Sequence, residues 1–328
     1  MRVTEVRSEP LAVTGAMGDI ARVRFSYAPG SPPGPASAIA KIRAADERRA
    51  TIDAAMHLFE RESRFYAGFA DRARLRSPRC LGGGDGWTTP LLLEDLVGLR
   101  AGDQVVGLAV ADAERVIDAL ADQHAAFWNS PVCQEPWLVS PTEPELAGAI
   151  AQMVGSGVPV LRERYADRAP SGAIDAVERL APRWLDVLHA CAEGPRTVIH
   201  NDCRLDNVFF DADGAPIFVD WQMIGVSRGT QDLGNLLAGS MNLDDLRQHW
   251  EPLLRRYHAR LGQHGVRDYP WQECVSHYRQ TILYPLGQGI ALIGALAQAD
   301  DRGLADVALL RALTHCHDLN SFDTVAAA

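Results

Sequence analysis

The sequence predicts an α+β fold, with a small β-rich lobe over residues 1–96 followed by a larger, mostly α-helical lobe over residues 97–328. Short β-prone runs separated by turns fill the first part of the chain and enclose a single helical stretch. From about residue 105 onwards, apolar residues recur with the period of a helix, and one short β-rich island near residues 197–219 interrupts them.

The predicted strands of the first lobe cover residues 11–15, 20–27, 38–42 and 90–93. The proline-rich segment 29–35 is interpreted as an exposed connection, because proline cannot donate to a sheet ladder. Residues 46–70 are predicted to be helical, since large apolar side chains recur there at spacings of three, four and six: Ile52, Met56, Phe59, Phe65 and Phe69. A glycine-rich turn at 82–86 leads into the last strand.

The second lobe is predicted to contain helices that begin near residue 105 and continue over roughly 144–165, 173–192 and 230–318. The β island holds short runs at 197–199, 208–210 and 217–219. The most apolar segment, 282–297, is interrupted by Pro285 and by three glycines. It falls short of the ~20 clean residues that a membrane span needs, so we expect a buried core helix.

Composition narrows the classes of function. The chain has 328 residues, and its 32 basic and 42 acidic side chains give a net charge of −10. This balance argues against nucleic acid as a partner, because phosphate binding needs a concentrated basic face. The six cysteines are scattered and form no CxxC pair, which favours reduced thiols, and the first ten residues lack the apolar stretch of a signal peptide. We therefore expect a soluble, cytoplasmic protein without a membrane partner.

One basic residue stands out. All the basic side chains are arginines except a single lysine, Lys41, which lies near the end of the predicted strand 38–42. In a chain that uses arginine wherever a positive charge suffices, a lone lysine indicates a place where a compact ammonium is needed and a planar guanidinium does not fit. Chance survival of one lysine is the alternative interpretation.

The β island carries the densest chemistry. It reads His200-Asn201-Asp202-Cys203-Arg204-Leu205-Asp206-Asn207, and Asp220 follows at the end of the next predicted strand. Phosphoryl transfer from a nucleotide needs a carboxylate to orient the attacking hydroxyl and oxygen ligands for Mg²⁺. Asp202 suits the first role, and Asn207 and Asp220 suit the second. A hairpin between them would let these two ligands converge on one ion.

This motif resembles the aminoglycoside phosphotransferase and choline kinase-like superfamily, relatives of the protein kinases, and is most similar to its ecdysteroid kinase-like branch. Further similar segments extend the resemblance over most of the chain: Ala38–Lys41, Glu62–Tyr66, Leu92–Leu96 and Asp232-Leu233. The resemblance implies a protein-kinase-like fold, with residues 1–96 binding a nucleotide and 97–328 carrying catalysis and substrate binding. It also implies ATP, or GTP, as phosphoryl donor, with Mg²⁺ as cofactor.

The resemblance assigns roles residue by residue. Asp202 would be the catalytic base, and Asn207 and Asp220 the metal ligands. The residues expected to contact or position the nucleotide are Lys41, Glu62, Glu94, Leu96 and Arg204. The segment around Glu94 would meet adenine through its backbone, Glu62 would pair with Lys41, and Asp232 would brace the catalytic loop.

Several of these residues have a structural interpretation as well. Arg204 could form a surface ion pair, and Glu62 has rivals for its role in Glu47 and Glu60. His200 is expected to hold the loop by hydrogen bonding, and Asp206 to shape it. The chain also departs from the family pattern: Asn201 stands where glycine is usual, and the nucleotide loop is reduced to Gly15-Ala16-Met17-Gly18.

Two other functions remain open at this point. A metal-dependent hydrolase could use His200, Asp202 and Asp220 around a transition metal, but it leaves Lys41 unexplained. A kinase-fold module could bind a metabolite without turnover, although the chain keeps every polar group that catalysis needs. The segment Thr314–Asp318 looks like a metal site but is better explained as ordinary polar residues near a helix end. The acceptor, expected to be a small hydroxylated molecule, and a homodimeric assembly are not determined by the sequence.

Overall fold

The structure, a computed structural model, describes residues 2–11, 18–32, 34–83, 90–295 and 303–325, without the side chains of residues 48 and 295. These residues form two compact units. The first comprises residues 1–100 together with 217–223, and the second comprises 101–216 together with 224–328. The functions assigned to the predicted lobes 1–96 and 97–328 stay predictions.

The first unit is built on a five-stranded antiparallel sheet with the order β1-β2-β3-β5-β4. Its strands are β1 Val3–Pro10, β2 Gly18–Tyr27, β3 Ser37–Arg43, β4 Cys80–Gly82 and β5 Leu91–Glu94. The sequence missed β1 and β4, and most of the run predicted at 11–15 lies outside the described residues. In β3, the central strand, Lys41 pairs with Ile20 of β2 on one side and with Leu91 of β5 on the other.

The helix predicted over 46–70 is interrupted, which corrects the sequence interpretation. Helix α1 covers Glu47–Met56, α2 covers Leu58–Arg64, and a π-helical turn covers Phe65–Phe69. His57 between α1 and α2 has a φ of 51°, in the left-handed region that ends a helix. The buried Asp53 carboxylate accepts a hydrogen bond from the backbone N–H of Phe59 at 2.7 Å. This bond caps the first turn of α2. No glycine or proline marks this break in the sequence.

The second unit is mostly helical. Its helices are α3 Val110–Ala126, α4 Pro144–Tyr165, α5 Ala173–Leu180, α6 Trp184–Ala192, α7 Thr230–Ser240, α8 Leu243–Gln263, α9 Trp271–Thr281, α10 Leu283–Ala295 and α11 Leu304–Asp318. The helix predicted at 144–165 is confirmed, whereas the one predicted at 173–192 is divided by a 3₁₀ turn that contains Pro182. The remaining strands of the chain are β6 Arg100–Ala101, β7 Thr197–Ile199, β8 Val208–Phe210, β9 Pro216–Phe218 and β10 Gly225–Ser227, and of these β6 and β9 are divided between the two units. Strand β10 pairs antiparallel with β7.

Helix α10 packs against α4 in the core of the second unit. Ile282, Leu286 and Ile290 are fully buried, as predicted for the apolar segment. The two backbones approach closely at Gly157, where an added Cβ would lie 2.1 Å from the carbonyl oxygen of Ile290. Glycine is therefore required there by space. No helix in the described ranges is both long enough and apolar enough to cross a membrane.

Candidate active site

Lys41 lies at the centre of a charged cluster in the first unit. Its Nζ is 2.7 and 2.9 Å from the two carboxylate oxygens of Glu62 on α2, and 3.0 Å from Oδ1 of Asp220. An ammonium group has three N–H donors, and three carboxylate oxygens surround this one nitrogen. The structure therefore brings together Lys41, Glu62 and Asp220, and Glu62 rather than Glu47 or Glu60 contacts the lysine.

The cluster is largely shielded from water. The side chains of Lys41, Glu62 and Asp220 are 14%, 4% and 16% exposed. Burial by itself lowers the pKa of Lys41, but the negative charges of Asp220 and Glu62 outweigh it and raise that pKa above its usual value. Lys41 is therefore a fixed cation at neutral pH, which is the state that binds an anion such as phosphate.

The residues that follow Asp220 hold its carboxylate in place. Asp220 has a φ of 67°, a left-handed conformation. Gln222 donates from Nε2 to Oδ2 of Asp220 at 3.1 Å, and the backbone N–H of Trp221 donates to Glu62 at 3.3 Å. The Trp221 ring stacks on Phe65 with centroids 3.9 Å apart. The role of Gln222 was not predicted from the sequence, although it lies in the segment Asp220-Trp221-Gln222 that the resemblance covers.

A pocket in the first unit opens onto this cluster. It contains both cationic and anionic side chains, so it offers contacts for phosphate oxygens and for a divalent cation. The residues that line it are Gly18, Ile20, Lys41, Ile42, Arg43, Asp53, Phe59, Glu62, Asp220 and Gln222. Of the predicted nucleotide loop, residues 15–17 lie outside the described residues.

Asp202 and Asn207 lie together in the second unit, in the loop between β7 and β8. Asn207 ends a single 3₁₀ turn, and its Nδ2 donates to both the carbonyl oxygen and Oδ2 of Asp202 at 2.9 Å. Because these bonds use the nitrogen of the carboxamide, its oxygen is the end that can act as a metal ligand. The Asp202 side chain is 23% exposed, so water or a substrate hydroxyl can reach it.

Asp232 anchors the backbone of this loop. Its two carboxylate oxygens accept hydrogen bonds from the backbone N–H groups of His200 and Asn201, each at 2.8 Å. One of these oxygens is also 3.2 Å from Nε2 of His124, whose Nδ1 is 2.9 Å from the hydroxyl of Tyr257. His124 and Tyr257 are fully buried, and neither is predicted from the sequence to have a role at this site. A histidine on the apolar face of a predicted helix was the available signal.

Arg204 lies among carboxylates of its own loop. Its guanidinium nitrogens are 3.5 Å from Asp202 and 3.6 Å from Asp206, so these contacts are ion pairs rather than hydrogen bonds. Asp206 also accepts a hydrogen bond from the backbone N–H of Gln104 at 2.8 Å. Asp206 thus shapes the loop, as expected, and the nucleotide-binding role of Arg204 stays a prediction.

Glu94 and Leu96 lie at the end of β5, away from the charged cluster along that strand. The backbone N–H of Glu94 donates to the carbonyl oxygen of Arg79 at 2.8 Å, and the carbonyl oxygen of Leu96 accepts from Leu99 at 3.1 Å. The backbone N–H of Glu94 and the carbonyl oxygen of Leu96 are therefore already hydrogen-bonded within the protein. Their contact with adenine stays a prediction.

Asp95, between them, has a structural role that the sequence did not reveal. Its carboxylate accepts hydrogen bonds from Arg22 at 2.7 Å and from the Ser37 hydroxyl at 2.6 Å. Burial raises the pKa of Asp95, but the hydrogen bonds from Arg22 and Ser37 outweigh this and leave that pKa below its usual value. The ionised carboxylate thus ties the end of β5 to β2 and β3.

The structure gives two tests of metal chemistry. In the described part of the chain, no group of three or more His, Cys, Asp or Glu side chains is placed to hold a metal ion. At the C-terminal candidate, Nε2 of the buried His315 is 2.9 Å from the Tyr278 hydroxyl, and burial lowers the pKa of His315 to about 4. His315 is thus a satisfied core residue. Because Asn207 and Asp220 belong to different units, their convergence on one ion stays a prediction.

Comparison with known proteins identifies the family of the chain. The sequence model of the ecdysteroid kinase-like family matches residues 14–267. No curated protein matches the chain by sequence.

Solved structures resemble the chain over nearly its whole length. A choline/ethanolamine kinase family protein from Mesorhizobium loti is 18% identical, with 97% of this chain and 92% of that one covered and a TM-score of 0.51. Choline kinase LicA from Streptococcus pneumoniae is 14% identical, with 97% and 95% covered and a TM-score of 0.55. The ADP-bound aminoglycoside phosphotransferase APH(2'')-Ib is 13% identical, with 97% and 95% covered and a TM-score of 0.53. The predicted α+β, protein-kinase-like fold is thereby confirmed.

Proposed function

Because the chain belongs to the ecdysteroid kinase-like family, we propose that it is a phosphotransferase that moves the γ-phosphate of ATP, or GTP, to a hydroxyl of a small molecule. The observation that carries the proposal is the charged cluster in which the chain's single lysine meets Glu62 and Asp220. One of the similar structures has ADP bound, which supports a nucleotide as donor.

Lys41 would bind the phosphates of the nucleotide. In the structure its three N–H donors are directed at carboxylate oxygens, so phosphate binding exchanges at least one of these contacts for a phosphate oxygen. Glu62 keeps the ammonium in position during this exchange, because it is held in turn by the backbone N–H of Trp221. Glu94 and Leu96 are proposed to meet the base, and Arg204 to meet the transferred phosphate.

Asp220 and Asn207 are proposed to hold Mg²⁺. Both supply the oxygen donors that this hard cation prefers, from a carboxylate in the first case and a carboxamide in the second. When bound, the ion neutralises negative charge on the phosphates. The hydrogen bonds from Lys41 and Gln222 fix the Asp220 carboxylate in orientation before any ion arrives.

Asp202 is proposed to orient the acceptor. Its carboxylate accepts the proton of the attacking hydroxyl as the new oxygen–phosphorus bond forms and the bond between the γ-phosphorus and the bridging oxygen breaks. The bond from Asn207 to Oδ2 restricts the carboxylate, so the acceptor has a defined partner. The other product, a nucleoside diphosphate, leaves with the bridging oxygen.

The acceptor class is proposed only as a hydroxylated small molecule. Aminoglycoside-like compounds, other antibiotics and choline-like amines all fit that description, and relatives by fold include kinases named for choline and for aminoglycosides. A cytoplasmic location, the lack of a nucleic-acid or membrane partner, and a homodimer are likewise proposals that await measurement.

Nucleotide binding is the first test of the function. We expect millimolar ATP or GTP to raise the melting temperature, and to raise it more when Mg²⁺ is present, because a ligand that binds the folded state alone stabilises it in proportion to its affinity. A radioactive γ-phosphate then identifies the acceptor in a screen of hydroxylated amines and antibiotics. Melting temperatures that no nucleotide changes, with or without Mg²⁺, would contradict the proposal.

Exchanging Lys41 for arginine tests the need for an ammonium. A planar guanidinium cannot direct three donors to the oxygens that surround one nitrogen, so we expect Lys41→Arg to lower nucleotide turnover about 100-fold while the protein stays folded. Turnover and melting temperature are measured together. Arg24→Lys, at a half-exposed ion pair on β2, is the matched control and should keep full activity. Wild-type turnover in Lys41→Arg would mean that only the charge matters.

A further inference from the structure

The residue directly before Asp202 departs from the family pattern, and the structure shows how the chain accommodates it. Asn201 has a φ of 66°, in the left-handed region where glycine is unstrained and asparagine is the best-tolerated alternative. Its side chain is buried, with the residue 1% exposed. A buried carboxamide is costly unless its donors and acceptor find partners.

The side-chain oxygen of Asn201 has such a partner in the second unit. Gln231 on α7 donates from Nε2 to the side-chain oxygen of Asn201 at 2.6 Å, and its own carboxamide oxygen accepts from the Ser227 hydroxyl at 2.8 Å. The bridge formed by Asn201 and Gln231 is therefore part of a buried chain of hydrogen bonds that continues to Ser227.

The backbone of the same residue is held as well. The Asn201 N–H donates to Asp232 at 2.8 Å, and its carbonyl oxygen accepts from Nδ2 of Asn235 at 3.1 Å. A glycine at this position would keep the backbone contacts but lose the side-chain contact to Gln231. The side chain of Asn201 therefore adds a hydrogen bond to this turn that a glycine could not make.

We propose that the bridge between Asn201 and Gln231 is a positioning device that fixes the orientation of Asp202, the next residue in the chain. This inference rests on the proposed function, because the orientation of Asp202 matters through the acceptor hydroxyl. Asn201 touches neither donor nor acceptor in this scheme and acts through Asp202. Its loss therefore affects the rate of the chemical step and leaves nucleotide affinity in place.

The experiment compares Asn201→Gly, Gln231→Met and the double variant in Mg²⁺-ATP hydrolysis, with water as acceptor and phosphate release as the readout. We expect each single variant to lower kcat about tenfold and to leave the KM for ATP within about twofold. The double variant should lose no more than either single one, because all three lack the same bridge. If Asn201→Gly does not fold, Gln231→Met, which leaves the turn residue unchanged, carries the test.

A second asparagine supplies the matched control. Asn129 also has a left-handed φ, 50°, and its side-chain oxygen accepts from the backbone N–H of Arg196 at 2.9 Å. Asn129→Gly should lower the melting temperature and keep the wild-type kcat. A wild-type kcat in Asn201→Gly, or losses that multiply in the double variant, would overturn the proposal.

Failure of the proposed function is distinguishable from failure of this inference. If the wild-type protein hydrolyses no nucleotide, hydrogen exchange of residues 200–207 decides about the bridge, and the proposed function fails only if nucleotide binding fails as well. Amide exchange in that loop should be at least about tenfold faster in Asn201→Gly and Gln231→Met than in the wild type and Asn129→Gly. Equal exchange in all four proteins would exclude a positioning role.

Discussion

Replacing Asp202 by asparagine should remove phosphoryl transfer and leave nucleotide binding in place. The carboxamide has the same shape as the carboxylate, and its oxygen can still accept the hydrogen bond from Nδ2 of Asn207, so the loop should keep its conformation. It cannot accept the proton of the attacking hydroxyl, and general-base catalysis contributes about 10²–10⁴ in rate. We expect kcat to fall within that range, with the nucleotide-induced rise in melting temperature unchanged.

The measurement is transfer of labelled phosphate to the acceptor at saturating nucleotide. Asp213→Asn is the matched control, because it makes the same chemical change at an exposed residue of the turn between β8 and β9 and should keep full activity. Near-normal transfer by Asp202→Asn would refute the assignment of Asp202 as base. Loss of nucleotide binding together with transfer would show that Asp202 supports the fold or the nucleotide instead.

Replacing Asp220 by asparagine should remove the dependence of nucleotide binding on Mg²⁺. One ammonium faces two carboxylates in the charged cluster, so its net charge is −1, and the substitution brings it to zero. Binding of metal-free ATP should therefore be no weaker than in the wild type, because the substitution reduces the repulsion between the cluster and the phosphates. Binding with Mg²⁺ should lose the advantage that the ion confers, and turnover should fall about 10³-fold.

Calorimetric titration with ATP, with and without Mg²⁺, gives both affinities. Asp71→Asn, an exposed carboxylate of the same unit, controls for the change in net charge. A variant that still binds ATP more tightly with Mg²⁺ would show that Asp220 is not a ligand of the ion. Weakened binding of metal-free ATP would instead show that Asp220 serves mainly to hold Lys41.

Periodicity alone did not settle which glutamate meets Lys41. The sequence predicts one helix over residues 46–70, which contains Glu47, Glu60 and Glu62. Of these three glutamates, the resemblance to the family favours Glu62. The left-handed φ of His57 ends α1, and α2 begins at Leu58. Glu60 then pairs with Arg64 and His57, whereas Glu62 turns towards the sheet and reaches Lys41. The break between α1 and α2 depends on the hydrogen bond that the Asp53 carboxylate accepts from the backbone N–H of Phe59. Local helix propensities do not predict this contact.

Asp95 and His124 are two residues whose structural roles could not be predicted from the sequence. In the sequence, Asp95 is a polar residue just after the predicted strand 90–93, and His124 lies in the helical region that begins near residue 105. Their partners are remote in sequence: Arg22 lies 73 positions from Asp95, and Asp232 lies 108 positions from His124. A polar side chain reveals its role only when its hydrogen-bond partner is known, and for buried groups that partner is found by folding.

The α+β fold class could be predicted from the sequence, because it depends on local period and on the order of the elements. The roles of Lys41 and of the loop from His200 to Asn207 stay predictions that rest on composition and on motif spacing. Which groups meet is set by the packing of the folded chain. Lys41 and Asp220 are 179 positions apart, and Asn201 and Gln231 are 30 apart, yet each pair is in hydrogen-bond contact. Such contacts arise because a buried charge or carboxamide must be matched by whatever partner the packed chain brings to it, and sequence spacing carries no record of that match.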